Sequence, residues 1–289
     1  MTARRYLQLD VFSSAPGRGN PLGVVTQATD LDEARMQRLA AWLNLSETIF
    51  FLPPDAPGAD YRIRIFTPKG ELPFAGHPSV GAAWAAVELG LARPRDGALV
   101  QQCAAGLLPV RVHDDGSRRI ELRSPTGRAL GTPVANLPTE LAAIVRPDAP
   151  PALWENGPAW WLIEARSAEL VRGLRPDFSA IAAWTDTDAA VGVAVYAAEP
   201  RDTHQIVVRA FCPGDAANVP EDPVTGSANA LIAARLAAED RLPGRDGRYL
   251  ASQGRELGRD GRVELTLDGD GEVWIGGQVQ PVIDGRLDW

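Results

Sequence analysis

The chain has 289 residues, 45% of them hydrophobic and 23% charged, with a formal net charge of −8. That is the composition of a folded protein of one large or two ordinary domains, not of a disordered chain. An acidic balance with no run of Lys or Arg argues against nucleic acid or an anionic membrane surface as a partner. The longest apolar stretches, 80–87 and 191–198, are too short to span a bilayer. The opening ten residues alternate and hold no apolar signal-peptide core, which points to a cytoplasmic location.

In chain order, alternation predicts a strand over 6–12. Asp30 and Glu33 read as a capping box opening a helix over 30–43, with Met36, Leu39, Ala40 and Leu43 at helical spacing. Strands follow over 48–51 and 61–66, then an Ala-rich buried helix over 78–89 and weaker strands over 108–112 and 119–122. Turn residues cluster over 124–133 and mark a domain boundary. Beyond it the pattern predicts a short helix over 138–145 and a strand over 160–164. Helical segments come next over 167–172 and 178–184, then strands over 191–196 and 205–211. An Ala-rich helix over 227–238 precedes three strands near 249–252, 262–267 and 272–275. The class is mixed α+β.

The chain also repeats itself. Arg64-Ile-Phe-Thr-Pro68 precedes Ala75-Gly-His77, and Arg209-Ala-Phe-Cys-Pro213 precedes Thr225-Gly-Ser227, each followed by an Ala-rich helix. Pro68 and Pro213 lie 145 positions apart, and Gly76 and Gly226 lie 150 apart. Both offsets are near half the chain, which predicts two similar units by internal duplication. A glycine opening a helix leaves backbone N–H groups and the positive end of the helix dipole for a carboxylate or an oxyanion.

Cofactor signatures are missing. Lys69 is the only lysine and is followed by Gly70, so there is no phosphate-binding P-loop. The turn composition of Thr67-Pro-Lys-Gly70 is a poor setting for a Schiff-base lysine. Gly17-Arg-Gly-Asn-Pro-Leu-Gly23 misses the dinucleotide fingerprint and carries Pro21 where a helix would continue. The three histidines stand far apart, and Asp268-Gly-Asp-Gly271 reads as a hairpin turn, so no metal site is predicted. Two isolated cysteines make neither a disulfide framework nor a zinc site. The chemistry is then expected from side chains alone.

Glu47 heads an apolar strand, and Asp222 stands shortly before the second helix-opening glycine. Glu47 could be solvated or could be a desolvated general acid/base, and Asp222 reads as a loop residue or a cap. His77 and Ser227 each also suit a helix cap. A Ser227 nucleophile with His77 as base would make a hydrolase, but no Gly-x-Ser-x-Gly elbow is present.

Gly19-Asn-Pro-Leu-Gly-Val-Val25, Asn44-Leu-Ser-Glu-Thr48, Arg64-Ile-Phe-Thr-Pro68, Phe74-Ala-Gly-His-Pro78 and Glu221-Asp-Pro-Val-Thr-Gly-Ser-Ala228 occur in this order. Together they resemble the phenazine-biosynthesis (PhzF-like) isomerase family of the diaminopimelate-epimerase superfamily. The resemblance implies two pseudo-symmetric lobes, each a curled mixed sheet around a central helix, with the active site between them, and a homodimer. It implies an N-terminal lobe over 1–125, completed by 277–289, and a second lobe over 126–276. Glu47 would be the acid/base, with His77 and Asp222 polarising the substrate. Gly76, Gly226 and Ser227 would bind its carboxylate, and Asn20 and Ser46 would line the pocket. The superfamily's racemases place a thiol at each glycine motif. Here Ala75 and Ser227 stand there, so a one-carboxylate proton shuttle on a small anionic metabolite replaces the two-thiol mechanism. A ligand- or partner-binding protein without turnover is the alternative from another class.

Overall fold

The computed structural model describes residues 3–113, 119–131, 133–201, 203–213 and 220–289. The chain divides into two compact units, Met1–Arg123 with Gly276–Trp289, and Ser124–Ile275.

In the first unit β1 (Ala3–Val11) pairs antiparallel with β2 (Asn20–Val25), placing Leu9 opposite Leu22 and Val11 opposite Asn20. Helix α1 (Glu33–Leu43) begins three residues later than the spacing predicts. Its cap is Asp32, whose carboxylate accepts from the Arg35 N–H at 2.7 Å. Asp30 is drawn off instead by the buried Arg4, 2.7 Å away, so no Asp30–Glu33 box forms. Asn44 closes α1 at φ 55°, the left-handed cap that Asn tolerates, and turns the chain into β3 (Glu47–Leu52). β3 runs parallel to β2 and antiparallel to β4 (Tyr61–Phe66). The short β5 (Glu71–Leu72) folds back on β4, and α2 (Gly76–Glu88) follows. Every residue of α2 from Gly76 to Ala86 is buried, as suits a helix apolar on all faces. β6 (Ala98–Cys103), β7 (Gly106–Val112) and β8 (Ile120–Arg123) complete this run, with β6 parallel to β4.

The second unit opens with β9 (Arg128–Ala129), α3 (Thr139–Ala142), β10 (Ala152–Glu155) and β11 (Ala159–Glu164). Next come α4 (Ala168–Gly173), α5 (Phe178–Asp186), and the hairpin of β12 (Gly192–Arg201) and β13 (His204–Phe211). β14 (Glu221–Asp222) folds back on β13 ahead of the buried α6 (Gly226–Ala238). β15 (Arg248–Gln253) runs parallel to β13, and β16 (Gly261–Leu267) and β17 (Val273–Gly277) follow. Trp161, fully buried, stacks on Trp184 at 4.8 Å, which makes it core and not pocket lining. The last strand, β18 (Val279–Asp288), returns to the first unit and pairs antiparallel with β1 along its whole length.

The sequence repeat reappears as repeated pairing. Ile65 lies opposite Leu72 in the first unit, and Ala210 opposite Asp222 in the second. Arg64 pairs with Glu71 and sits 5.1 Å over the Phe66 ring; Arg209 pairs with Glu221 and sits 5.0 Å over Phe211. Among the described residues no helix is long and apolar enough to cross a membrane.

Candidate active site

In the first unit, the turn closed by Asn44 delivers Glu47 as the first residue of β3, in register with Leu22 of β2. The first turn of α2 carries His77, with Pro78 behind it at an early position where a missing N–H costs little. The His77 Nδ1 and Glu47 Oε2 atoms lie 2.9 Å apart, His77 almost fully buried and the Glu47 side chain 17% exposed. That is ion-pair range without hydrogen-bond alignment. Among the described residues neither Glu47 Oε2 nor His77 Nε2 has a hydrogen-bond partner, although both atoms are buried. Buried core atoms such as Trp161 Nε1 and Tyr249 Oη share this, so it is the charge environment that distinguishes the pair.

All three histidines face a glutamate, and the comparison sets Glu47 apart. Glu121 has His113 at 3.1 Å and also Arg119 at 3.5 Å. Glu199 has His204 at 2.8 Å and also Arg172 and Arg201 within 3.0 Å. Among the described residues Glu47 has His77 and no guanidinium in ion-pair range. A guanidinium favours the ionised carboxylate alone; a group that must take up and release a proton is better placed without one.

Asn20 is buried at the start of β2, two positions before the residue opposite Glu47. The loop leading to it is held by the Asp10 carboxylate, which accepts from the N–H groups of Arg18 at 2.8 Å and Gly19 at 3.0 Å. A Cβ at Gly19 would lie 2.2 Å from the Val11 carbonyl oxygen, so only glycine fits there. Ser46, half-buried, directly precedes Glu47. Gly76 opens α2 behind Ala75, whose methyl side chain offers no cap.

In the second unit, Asp222 stands on β14 and its Oδ2 accepts from the Thr225 hydroxyl at 2.7 Å. Gly226 opens α6. The cap position belongs to Thr225, so Ser227 is not an N-cap. Its hydroxyl accepts from the Trp160 indole N–H at 3.1 Å, and its carbonyl from the Asn156 amide at 3.1 Å. With the indole on one lone pair, the Ser227 hydroxyl keeps its own hydrogen to donate. Asn156, Thr225 and Gln253 are positions to which the sequence assigns no role, whereas the Trp160-Trp161 pair reads there as either core or pocket support. Thr225 could have been found inside the Asp-Pro-Val-Thr-Gly-Ser run, whereas Gln253 joins from β15 without a local signal.

Cys103 and Cys212 are free and buried, at the end of β6 and just past β13. Burial pushes the Cys103 thiol up, away from thiolate chemistry. Among the described residues no group of three His, Cys, Asp or Glu side chains is set to hold a metal ion.

Residues 9–285 match the family model described as phenazine biosynthesis-like protein. Antisense-enhancing sequence 1 of Schizosaccharomyces pombe is 33% identical, over 99% of each chain. The trans-2,3-dihydro-3-hydroxyanthranilate isomerase of Pseudomonas aeruginosa is 33% identical over 98% of each. The solved structure of a predicted epimerase from Pseudomonas aeruginosa superposes with a TM-score of 0.78 at 32% identity, covering 98% of this chain and 99% of that one. A family model matched nearly end to end, with relatives a third identical over almost the whole length, places this chain in the phenazine biosynthesis-like protein family, as an enzyme of the isomerase class.

Proposed function

We propose that the chain moves a proton between two carbons of a small carboxylic acid, with Glu47 as the acid/base and no cofactor. The carrying observation is a mostly buried carboxylate, touched by His77 at 2.9 Å and clear of guanidinium among the described residues. Glu47 takes the proton from one carbon and returns it to another. His77, through Nδ1, orients the carboxylate, and its unpartnered Nε2 is available to the substrate. Asp222 takes an amino or hydroxyl group of the substrate, and the amide ends of α2 and α6, with the Ser227 hydroxyl, take its carboxylate. Asn20 and Ser46 complete the lining. The fold reading that accompanies this is two lobes of like fold, each a sheet curled around its buried helix, and the repeated pairings around α2 and α6 support it.

trans-2,3-Dihydro-3-hydroxyanthranilate, in the printed name of the Pseudomonas aeruginosa relative, carries a carboxylate, an amino group and a hydroxyl on an unsaturated ring, and is the first probe. The wild-type enzyme in D2O should incorporate solvent deuterium into it. Glu47→Gln should abolish incorporation while calorimetric binding of the probe survives. Undiminished incorporation in Glu47→Gln would remove Glu47 from the role.

A further inference from the structure

We infer that Gln253 and Thr225 are positioning residues which hold Asp222 as a fixed acceptor through a hydrogen-bond chain polarised from one backbone amide. Only the role of Asp222 toward a substrate rests on the isomerase reading above; the direction of the chain stands on geometry alone.

The chain begins at Gln253, which is 2% exposed. Its Oε1 accepts from the Thr225 backbone N–H at 3.0 Å and from Asn229 Nδ2 at 2.9 Å. A backbone N–H can only donate, so the atom facing it is the amide oxygen. Asn229 is fixed in turn, because its Nδ2 also donates to the Thr225 carbonyl at 2.8 Å. The Gln253 nitrogen must then face the other way. It donates to the Asp222 carbonyl at 3.0 Å and to Thr225 Oγ1 at 2.9 Å. Having received that hydrogen, the Thr225 hydroxyl sends its own to Asp222 Oδ2 at 2.7 Å. Every polarity in the chain follows from one backbone amide. Asp222 Oδ2 is the acceptor at the end of the chain.

The repeat supplies an internal control. Ser79 stands in the first unit where Asn229 stands in the second and likewise bonds back, to the Ala75 carbonyl at 2.8 Å. The strand glutamine is not repeated: Cys103 holds the position of Gln253, and Gln101, two residues earlier, donates to Ser79 Oγ at 2.9 Å. What that unit lacks is the working end. Ala75 replaces Thr225, and Leu72 occupies the register position of Asp222. The helix start and its back-bonding residue occur twice, whereas the hydroxyl, the carboxylate and the glutamine occur together in the second unit alone. That is the pattern of a ligand-holding device, not of helix capping alone.

Two measurements test it. In a neutron structure of the wild-type protein crystallised from D2O, the Thr225 hydroxyl deuterium should point at Asp222 Oδ2, with both amide deuteriums on the Gln253 atom facing Thr225 Oγ1. Deuterium on Asp222 Oδ2, or a Thr225 hydroxyl aimed at Gln253, would overturn the inference whatever the enzyme turns over. In deuterium exchange with trans-2,3-dihydro-3-hydroxyanthranilate, Thr225→Val and Gln253→Glu should lower kcat/KM by on the order of ten- to a hundredfold, the range for a lost hydrogen bond to a charged group. Thr225→Ser, which keeps the hydroxyl, should stay near wild type. Equal losses in Thr225→Val and Thr225→Ser would reduce the hydroxyl to packing and sink the proposal. Wild-type inactivity on the probe would count against the isomerase reading for that compound, and the neutron result would then decide the chain by itself.

Discussion

At Gly81, one turn past His77, helix α2 comes so close to β1 and β2 that an added Cβ would lie 2.3 Å from Leu22 Cδ2 and 3.0 Å from Val11 Cγ2. Both neighbours are fully buried, so neither can swing aside. Gly81→Ala should therefore destabilise the protein by about 1–3 kcal/mol, the usual cost of overpacking a core, although alanine is the better helix former. A urea titration checks this, and an unchanged midpoint would mean the helix slides without penalty. The same closeness bears on the site, since moving α2 moves His77 relative to Glu47. Residue by residue, part of this was legible. Glu47 stood out as a charge heading an apolar strand, and Gly76 and Gly226 as helix openings. The contact between Glu47 and His77 was not, because it joins residues thirty positions apart through the packing of α2 under β3 and β2. Lone histidine–glutamate spacing carries no such information. What separates Glu47 from Glu121 and Glu199 is the arginines around the other two: Arg119 and Arg201 stand two residues from their glutamates on the same segment, and Arg172 reaches Glu199 from α4.

Elements were legible where one face is uniformly apolar and illegible where a strand buries polar groups. β4 and the buried helices follow their periodicity. β2 hides behind Gly19, Pro21 and Gly23, residues that read as a turn until β1 and β3 flank them. β6 is masked by Gln101, fully buried yet satisfied by Ser79 and by the Tyr61 hydroxyl, which donates to it at 3.2 Å. The end of the β12–β13 hairpin offers a test at this scale. Burial alone would raise the Glu199 carboxyl. Hydrogen bonds from His204, Arg172 and Arg201 outweigh burial and hold it at about 2, against an ordinary 4.5. A carboxyl lowered in the folded state stabilises above its unfolded value, and that contribution disappears as pH falls from about 4.5 toward about 2. Thermal midpoints of wild type and Glu199→Gln should differ by a constant amount above pH 5 and converge below it. A difference indifferent to pH would show the hairpin is held by packing.

On the scale of the whole chain, the first unit is discontinuous: it leaves at Arg123 and is resumed at Gly276. Its edge is finished by β18, which pairs with β1 from Ala3 opposite Asp288 to Val11 opposite Val279, with a register shift at Gln8/Leu9. The strand gives the core little, because residues 281–286 are all exposed. Its contribution lies in the ladder and in its ends. Arg5 grips Asp284 with two hydrogen bonds, and the Trp289 indole reaches the Arg35 carbonyl at 3.2 Å. The Arg5 carbonyl accepts from the Thr26 N–H, so Arg5 faces β2, and the alternate residues of β1 are those that face β18. Removing 279–289 would strip about eight ladder bonds, worth on the order of 8 kcal/mol at about 1 kcal/mol each. Whole domains are stable by only about 5–15 kcal/mol. The shortened chain should therefore lose hydrogen-exchange protection across β1, β2 and β3, and with it the placement of Glu47. The second unit, to which 279–289 does not belong, should keep its own protection. Because the pairing closes a loop of more than 260 residues, the first unit should also be the later to gain protection during refolding. Uniform loss in both units on truncation, or protection of β1 appearing ahead of β13 in a pulse-labelling experiment, would refute this order of assembly.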